Sequence, residues 1–178
     1  EEGPASLAGR PVTPGVPPRP MLATAVRGAA PALARLGGAS FLAEWKYDGV
    51  RCQAHVGADG GVALFSRGGE NATPAFPDVA AALAAALLPE ALPAVLDAEV
   101  CAVERAADGG RERLLAFQTL AARPRAGQTA SAAAAAAPVT AYLFDALVLG
   151  GEDITATPLR ARRAVLAAAL APGARGVT

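Results

Sequence analysis

The chain has 178 residues, with sixteen basic and sixteen acidic side chains and a formal net charge of zero. That length suits one domain, or a piece of a larger protein, with enough Val, Leu, Ala and Phe to bury a core. The balanced charge excludes a global basic field aimed at nucleic acid, and no apolar run approaches the ~20 residues that span a bilayer.

Residues 1 to 20 are rich in Pro and Gly, and "TPGVPPRP" suits neither regular helix nor a central strand. They are expected to form an extended arm or linker, with residues 21 to 178 as the main body. From residue 41 the pattern turns to strands. In "VRCQAHV", Val50, Cys52, Ala54 and Val56 alternate with Arg51, Gln53 and His55, the period of a half-buried strand. "GADGG" supplies a hairpin turn into "VALFS". Asp78 is the expected acidic N-cap of the helix "DVAAALAAALL", stopped by Pro89.

"AVLDAEVCAVE" at 94 to 104 reads as a strand, with Leu96, Ala98 and Val100 on one face and Asp97 and Glu99 on the other. "AADGG" is a second turn, followed by the apolar run "RLLAFQTL". Residues 126 to 137 are low-complexity and alanine-rich, and are expected to form a surface loop with a short helix as the alternative. Alanine exceeds a quarter of the chain and reads as the background of GC-rich coding, which weakens it as a helix signal. "VTAYLFDALVL" at 139 to 149 is a third long strand. Thr157 and Pro158 are the expected N-cap and first residue of the helix "LRARRAVLAAALA". Hairpins with two helices between and after them indicate an antiparallel α+β fold.

Cys52 and Cys101 form no CxxC pair and have no metal-ligand spacing with the single His55, as suits a reducing compartment. The first residues lack a signal peptide's layout, so the chain is expected to be soluble and intracellular. Arginine clusters at 123 and 125 and at 160, 162 and 163 read as solvated surface.

Fifteen of the sixteen basic residues are arginine; the exception is Lys46, in "FLAEWKYDGVR". Only an amine can lose its proton and act as a nucleophile, which a guanidinium cannot do. On a strand edge between Trp45 and Tyr47, Lys46 would be partly desolvated, and alternation would put it on one face with Glu44. Gly49 allows a tight turn beside it, and Arg51 suits a phosphate or a ribose hydroxyl.

"KYDGVR" resembles the K-x-D-G-x-R signature of covalent nucleotidyltransferases: ATP-dependent DNA ligases, RNA ligases and mRNA-capping guanylyltransferases. "PPRPMLA", "FSRGGEN", "DAEV", "AFQTL" and "YLFDALVLGGED" follow the order and approximate spacing of ATP-dependent DNA ligases, nearest the replicative eukaryotic type and its archaeal relatives. The resemblance implies an α+β nucleotidyltransferase (ATP-grasp-like) adenylation domain of antiparallel β-sheets with flanking helices, the nucleotide lying between a pair of sheets. It implies that Lys46 takes AMP from ATP, that Glu44 reads the adenine edge, and that Arg51 and Arg67 hold ribose and phosphates. By the same resemblance Glu99 contacts the ribose or a divalent metal, and Phe144 stacks on the purine. Asp48 and Asp145 are expected to orient neighbours, Trp45 to pack, and His55 to have no catalytic role.

The implied cofactors are ATP and Mg²⁺, and the implied partner is nicked double-stranded DNA, sealed in replication, repair or recombination. A monomer is expected, working in the nucleus of a eukaryote or otherwise in the cytoplasm, with no membrane association. No lysine follows Lys46, so the family's later Lys-x-Lys pair is absent. The chain is expected to be a fragment incomplete at the C-terminus, with little or no activity alone. A capping guanylyltransferase or RNA ligase is the nearest alternative, and a catalytically degenerate DNA-end or partner-binding module is an alternative of another class.

Overall fold

The computed structural model describes residues 11–105, 112–123, 127, 129–174 and 176–177. The sheet is antiparallel in the order β2-β1-β3-β5-β6, with β4 pairing β3 off this path. The strands are β1 (Val50–Val56), β2 (Val62–Ser66), β3 (Ala94–Glu104), β4 (Arg113–Leu114), β5 (Val139–Leu149) and β6 (Glu152–Asp153). The four longest begin and end where the alternation of the sequence places them. In the β1–β2 turn, Gly57 N–H donates to the Gly61 carbonyl at 2.8 Å, and Gly60 takes φ 79°, a value that suits glycine. The turn expected at "AADGG" lies outside the described residues.

One face of the sheet carries the main core. Cys52, Ala54 and Val56 of β1, Leu64 of β2, Ala98, Val100 and Ala102 of β3, and Ala141, Leu143 and Ala146 of β5 share a single buried cluster. Helix α2 (Pro77–Ala86) adds Val79, Leu83 and Ala86, and helix α5 (Leu159–Ala168) adds Leu166. Burying each valine or leucine among them contributes on the order of 2 kcal/mol, and each alanine less.

The opposite face is not the open polar surface that alternation in β1 suggests. Gln53 and His55 are buried, as is Asp97 on β3. Residues of the Pro-rich segment reach this face and contribute to its cover. Gly15 N–H donates to His55 Nδ1 at 2.7 Å, and Val12 N–H donates to Asp153 Oδ2 at 2.7 Å. His55 Nε2 and Gln53 Oε1 lie 2.8 Å apart; with Nδ1 accepting, Nε2 is the donor.

Four helical details depart from expectation. Asp78 is not an N-cap: Pro77 opens α2, and Asp78 lies in the first turn, paired with Arg123 at 2.5 Å. The helix ends at Ala86, before a short 3₁₀ turn at Pro89–Ala91. The alanine tract contains helix α4 (Ala130–Ala136), capped by the Thr129 hydroxyl. Pro158, not Thr157, stands at the cap of α5. Two further helices, α1 (Ala29–Leu36) and α3 (Phe117–Ala121), complete the set, and α1 buries no residue.

The sheet edges are partly occupied. Beside β2 the chain returns antiparallel, with Ser66 N–H on Glu70 O, Ala72 N–H on Leu64 O, and Leu64 N–H on the Thr73 hydroxyl. At the other edge β6 has two residues, and Ala141 of β5 bridges Val177 in parallel.

Candidate active site

The sheet register builds the site. Arg51 of β1 faces Glu99 of β3, which faces Tyr142 of β5. Cross-strand partners share a face, so the three form one row on the face opposite the core. Between the pairs Ala98–Leu143 and Asp97–Asp145, β5 has one residue too many, and that residue is Phe144. Such a bulge re-aims side chains locally: Leu143 and Ala146 remain in the core, while Phe144 joins the row. An open cleft of about 1440 Å³ lies over this face. Glu44, Lys46, Arg51, Arg67, Glu99 and Phe144, all six residues singled out from sequence, line it.

Lys46 reaches the cleft from an irregular segment. The chain enters β1 only at Val50, so the strand alternation proposed for residues 44 to 48 does not hold. Lys46 is exposed, and Trp45, expected to pack, is 85% exposed. Two contacts pin the end of the segment next to β1. The Tyr47 ring stacks on Tyr142 with centroids 4.2 Å apart and planes 19° from parallel. Gly49 N–H donates to Glu99 Oε1 at 3.2 Å. Gly49 is needed for space: a Cβ there would lie 2.3 Å from the Val100 carbonyl oxygen and 2.8 Å from Cys101 Sγ.

Burial pushes the Glu99 carboxyl up, against the opposing pull of the Gly49 amide and the positive Lys46 and Arg51. A partly desolvated carboxylate beside an open cleft is suited to a cation. Among the described residues no three His, Cys, Asp or Glu side chains gather into a metal-holding group. Burial drives the thiols of Cys52 and Cys101 up to about 12 and about 11, which leaves them unreactive.

Arg51 is held by a partner that sequence reading did not select. Its Nε and Nη2 donate to Asp97 Oδ1 and Oδ2 at 3.3 and 2.7 Å, and its guanidinium carbon lies 5.4 Å from the Phe144 ring centroid. The clue was the shared face of Asp97 and Glu99. Glu44 forms an ion pair with Arg163 of α5. Arg162 grips Asp145 with Nε–Oδ1 at 2.8 Å and Nη2–Oδ2 at 2.7 Å, and Arg123 is buried. Arg123, Arg162 and Arg163 are therefore engaged in the fold and are not simply solvated. Asp145 also accepts from the Ala146 N–H at 2.9 Å. Arg67 stands exposed in the turn after β2, where the Ser66 hydroxyl accepts from Gly68 and Glu70 N–H, both at 3.2 Å.

Residues 20–177 match the family model for the ATP dependent DNA ligase domain. The chain belongs to this family. It is 44% identical over 152 residues to a DNA ligase of Pyrobaculum calidifontis, covering 85% of this chain and 24% of that protein. It is 35% identical over 156 residues to DNA ligase 1 of Drosophila melanogaster, covering 88% and 20% respectively. The ligase domain from M. tuberculosis LigD aligns with a TM-score of 0.48 and 26% identity over 70% of this chain and 35% of that one. The chain thus spans about a quarter or less of the first two relatives. The architecture is the antiparallel α+β expected of a ligase adenylation domain, with one difference. The described residues form one sheet with the cleft on its outer face, not a cleft between two sheets. Among the described residues, no helix is long and apolar enough to cross a membrane.

Proposed function

We propose that this chain is part of the adenylation domain of a DNA ligase that seals nicked double-stranded DNA at the expense of ATP. One observation carries the reading: the single lysine of the chain opens onto the same cleft as Arg51, Arg67, the partly desolvated Glu99 carboxylate and the Phe144 ring. Phosphoryl transfer is accelerated chiefly by positioning and charge neutralisation, and these groups suit both tasks.

ATP enters as its magnesium complex. The purine lies against Phe144, with its amino edge toward Glu44, while Arg51 and Arg67 hold the sugar and phosphates. Glu99 would contact the ribose or help to hold a Mg²⁺ ion, which is commonly bound by one or two carboxylates together with substrate phosphates and would neutralise phosphate charge there. The Lys46 amine loses its proton and attacks the α-phosphorus. An Nζ–P bond forms, the bond from that phosphorus to the bridging oxygen breaks, and pyrophosphate leaves. The AMP then passes to the 5′-phosphate of a nick, and the 3′-hydroxyl displaces it to join the strand. A monomer acting in the nucleus of a eukaryote, or otherwise in the cytoplasm, fits this role.

The test is incubation of the complete parent protein with Mg²⁺ and ATP labelled at the α-phosphate. A lysine-linked AMP adduct is expected, absent in Lys46→Ala and in Lys46→Arg. Failure to form the adduct, or its survival in Lys46→Ala, overturns the assignment. Preferential labelling by GTP would move the chain to the capping enzymes.

A further inference from the structure

Glu44 sits in an exposed, irregular segment, a poor foundation for a side chain that must discriminate between purines. A carboxylate accepts hydrogen bonds and cannot donate them when ionised. It can accept from the exocyclic amine of adenine and repels the carbonyl oxygen of guanine at the same place. That preference has value only if the carboxylate is held in one orientation, because an unrestrained side chain can turn away from the wrong base at little cost.

Arg163 supplies the restraint. Its Nη1 donates to Glu44 Oε1 across 119 residues of chain, and both side chains line the cleft. Helix α5, which carries Arg163, is itself fixed to the sheet by the preceding residue. Arg162 makes two hydrogen bonds to Asp145, and its Nη1 donates to the Thr157 carbonyl at 2.5 Å. Asp145 follows Phe144 directly on β5. One continuous brace therefore runs from the aromatic ring of Phe144 through Asp145, Arg162 and Arg163 to the carboxylate of Glu44.

We propose that Arg163 is a positioning residue for purine selection: it holds Glu44 at a fixed place relative to Phe144, so that adenine is read and guanine rejected. The inference rests on the reading of Glu44 and Phe144 as the purine-recognition groups. Arg163 takes one carboxylate oxygen and leaves Oε2 for the exocyclic amine of the base. The brace contributes to nucleotide binding and selection and has no part in the bond changes at phosphorus.

The experiment measures lysyl-AMP formation in the complete parent protein, with ATP and with GTP, for the wild type, Arg163→Ala, Arg163→Lys, Glu44→Gln and the double variant Glu44→Gln/Arg163→Ala. Arg163→Ala should raise KM for ATP about threefold to fivefold, the size expected of a partly exposed ion pair, and leave kcat nearly unchanged. Preference for ATP over GTP should fall by a similar factor. Arg163→Lys should restore part of the loss, since an ammonium can still hold the carboxylate. The double variant should be no worse than Glu44→Gln, because Arg163 acts through Glu44.

If Glu44→Gln changes neither KM nor purine preference, the reading of Glu44 fails and takes the inference with it. If Glu44→Gln impairs ATP use while Arg163→Ala does not, or if the two losses are additive, the inference alone is overturned. Glu44 and Arg163 side chains are 38% and 41% exposed, so neither change should threaten folding, and matched melting curves verify this.

Discussion

Gly49→Ala tests how tightly the Lys46 segment is bound to the sheet. The new methyl carbon would sit 2.3 Å from the Val100 carbonyl oxygen and 2.8 Å from Cys101 Sγ. Non-bonded carbon contacts are best near about 3.5 Å, so the backbone at residue 49 must retreat by roughly 1 Å. That movement lengthens the Gly49–Glu99 hydrogen bond, already 3.2 Å, beyond useful range. A bond to a charged group contributes about 1.5–3 kcal/mol, and overpacking costs about 1–3 kcal/mol. The lower chain entropy of unfolded alanine offsets less than about 1 kcal/mol. A net loss of about 3 kcal/mol should lower the melting temperature of this chain by about 6–12 °C.

Differential scanning calorimetry of the 178-residue chain reads that shift directly. Adding Cys101→Ala to Gly49→Ala should not restore the melting temperature, because it removes the sulfur contact and leaves the carbonyl. Lysyl-AMP formation in the parent protein should fall at least tenfold, since Lys46 lies three residues upstream of the displaced peptide. A Gly49→Ala variant melting within about 2 °C of the parent, or a full rescue by Cys101→Ala, would refute the steric account.

Two further perturbations follow from the same packing. His55 is buried and neutral, with burial lowering its pKa to about 4 from 6.5. Its contribution is fully present above pH 6.5 and is lost as pH falls towards 4, because the unfolded chain takes up the proton first. The loss amounts to about 3 kcal/mol over that window. Urea unfolding at pH 7, 6, 5 and 4.5 should show this slope, and His55→Gln should flatten it; equal slopes in both proteins would contradict the assignment. Arg123→Ala strands Asp78, 11% exposed, without its cation. A buried pair broken on one side costs about 3–5 kcal/mol, so the variant should melt well below the parent, whereas replacing both partners with Arg123→Met and Asp78→Leu should recover most of the loss.

Much of the strand architecture was legible in the sequence because its cause is local. Residues 50–56, 62–66, 94–104 and 139–149 alternate or carry β-formers between turn residues, and tertiary packing had no reason to override them. The alternation failed when extended upstream of Gly49. A run of residues without a strand partner keeps its pattern on paper and loses its geometry in space. Helix α4 was obscured because alanine was so frequent that it carried little local information, although the Thr129 cap was a usable signal.

The candidate site divides along the same line. Residues with a chemical reason to be unusual, above all Lys46, stood out from the sequence and gather on one cleft. Their partners did not. Asp97 and Tyr142 become neighbours of the site through strand register, and Arg163 does so through the rotation of α5. For Asp97 the sequence offered only the face it shares with Glu99; the relations of Tyr142 and Arg163 to the site need the strand pairing and the helix placement.

The edges of the sheet bear on how this piece of polypeptide behaves among its own copies. An unpaired strand edge is a template on which another chain can add. Here the 70–73 return occupies the free side of β2, and the far side is closed in part by a two-residue strand and a single parallel bridge. Among the described residues the β2 side therefore leaves little backbone to recruit a strand from a neighbour, whereas residues 142–146 of β5 have no strand beside them on the far side, so β-augmentation would begin there.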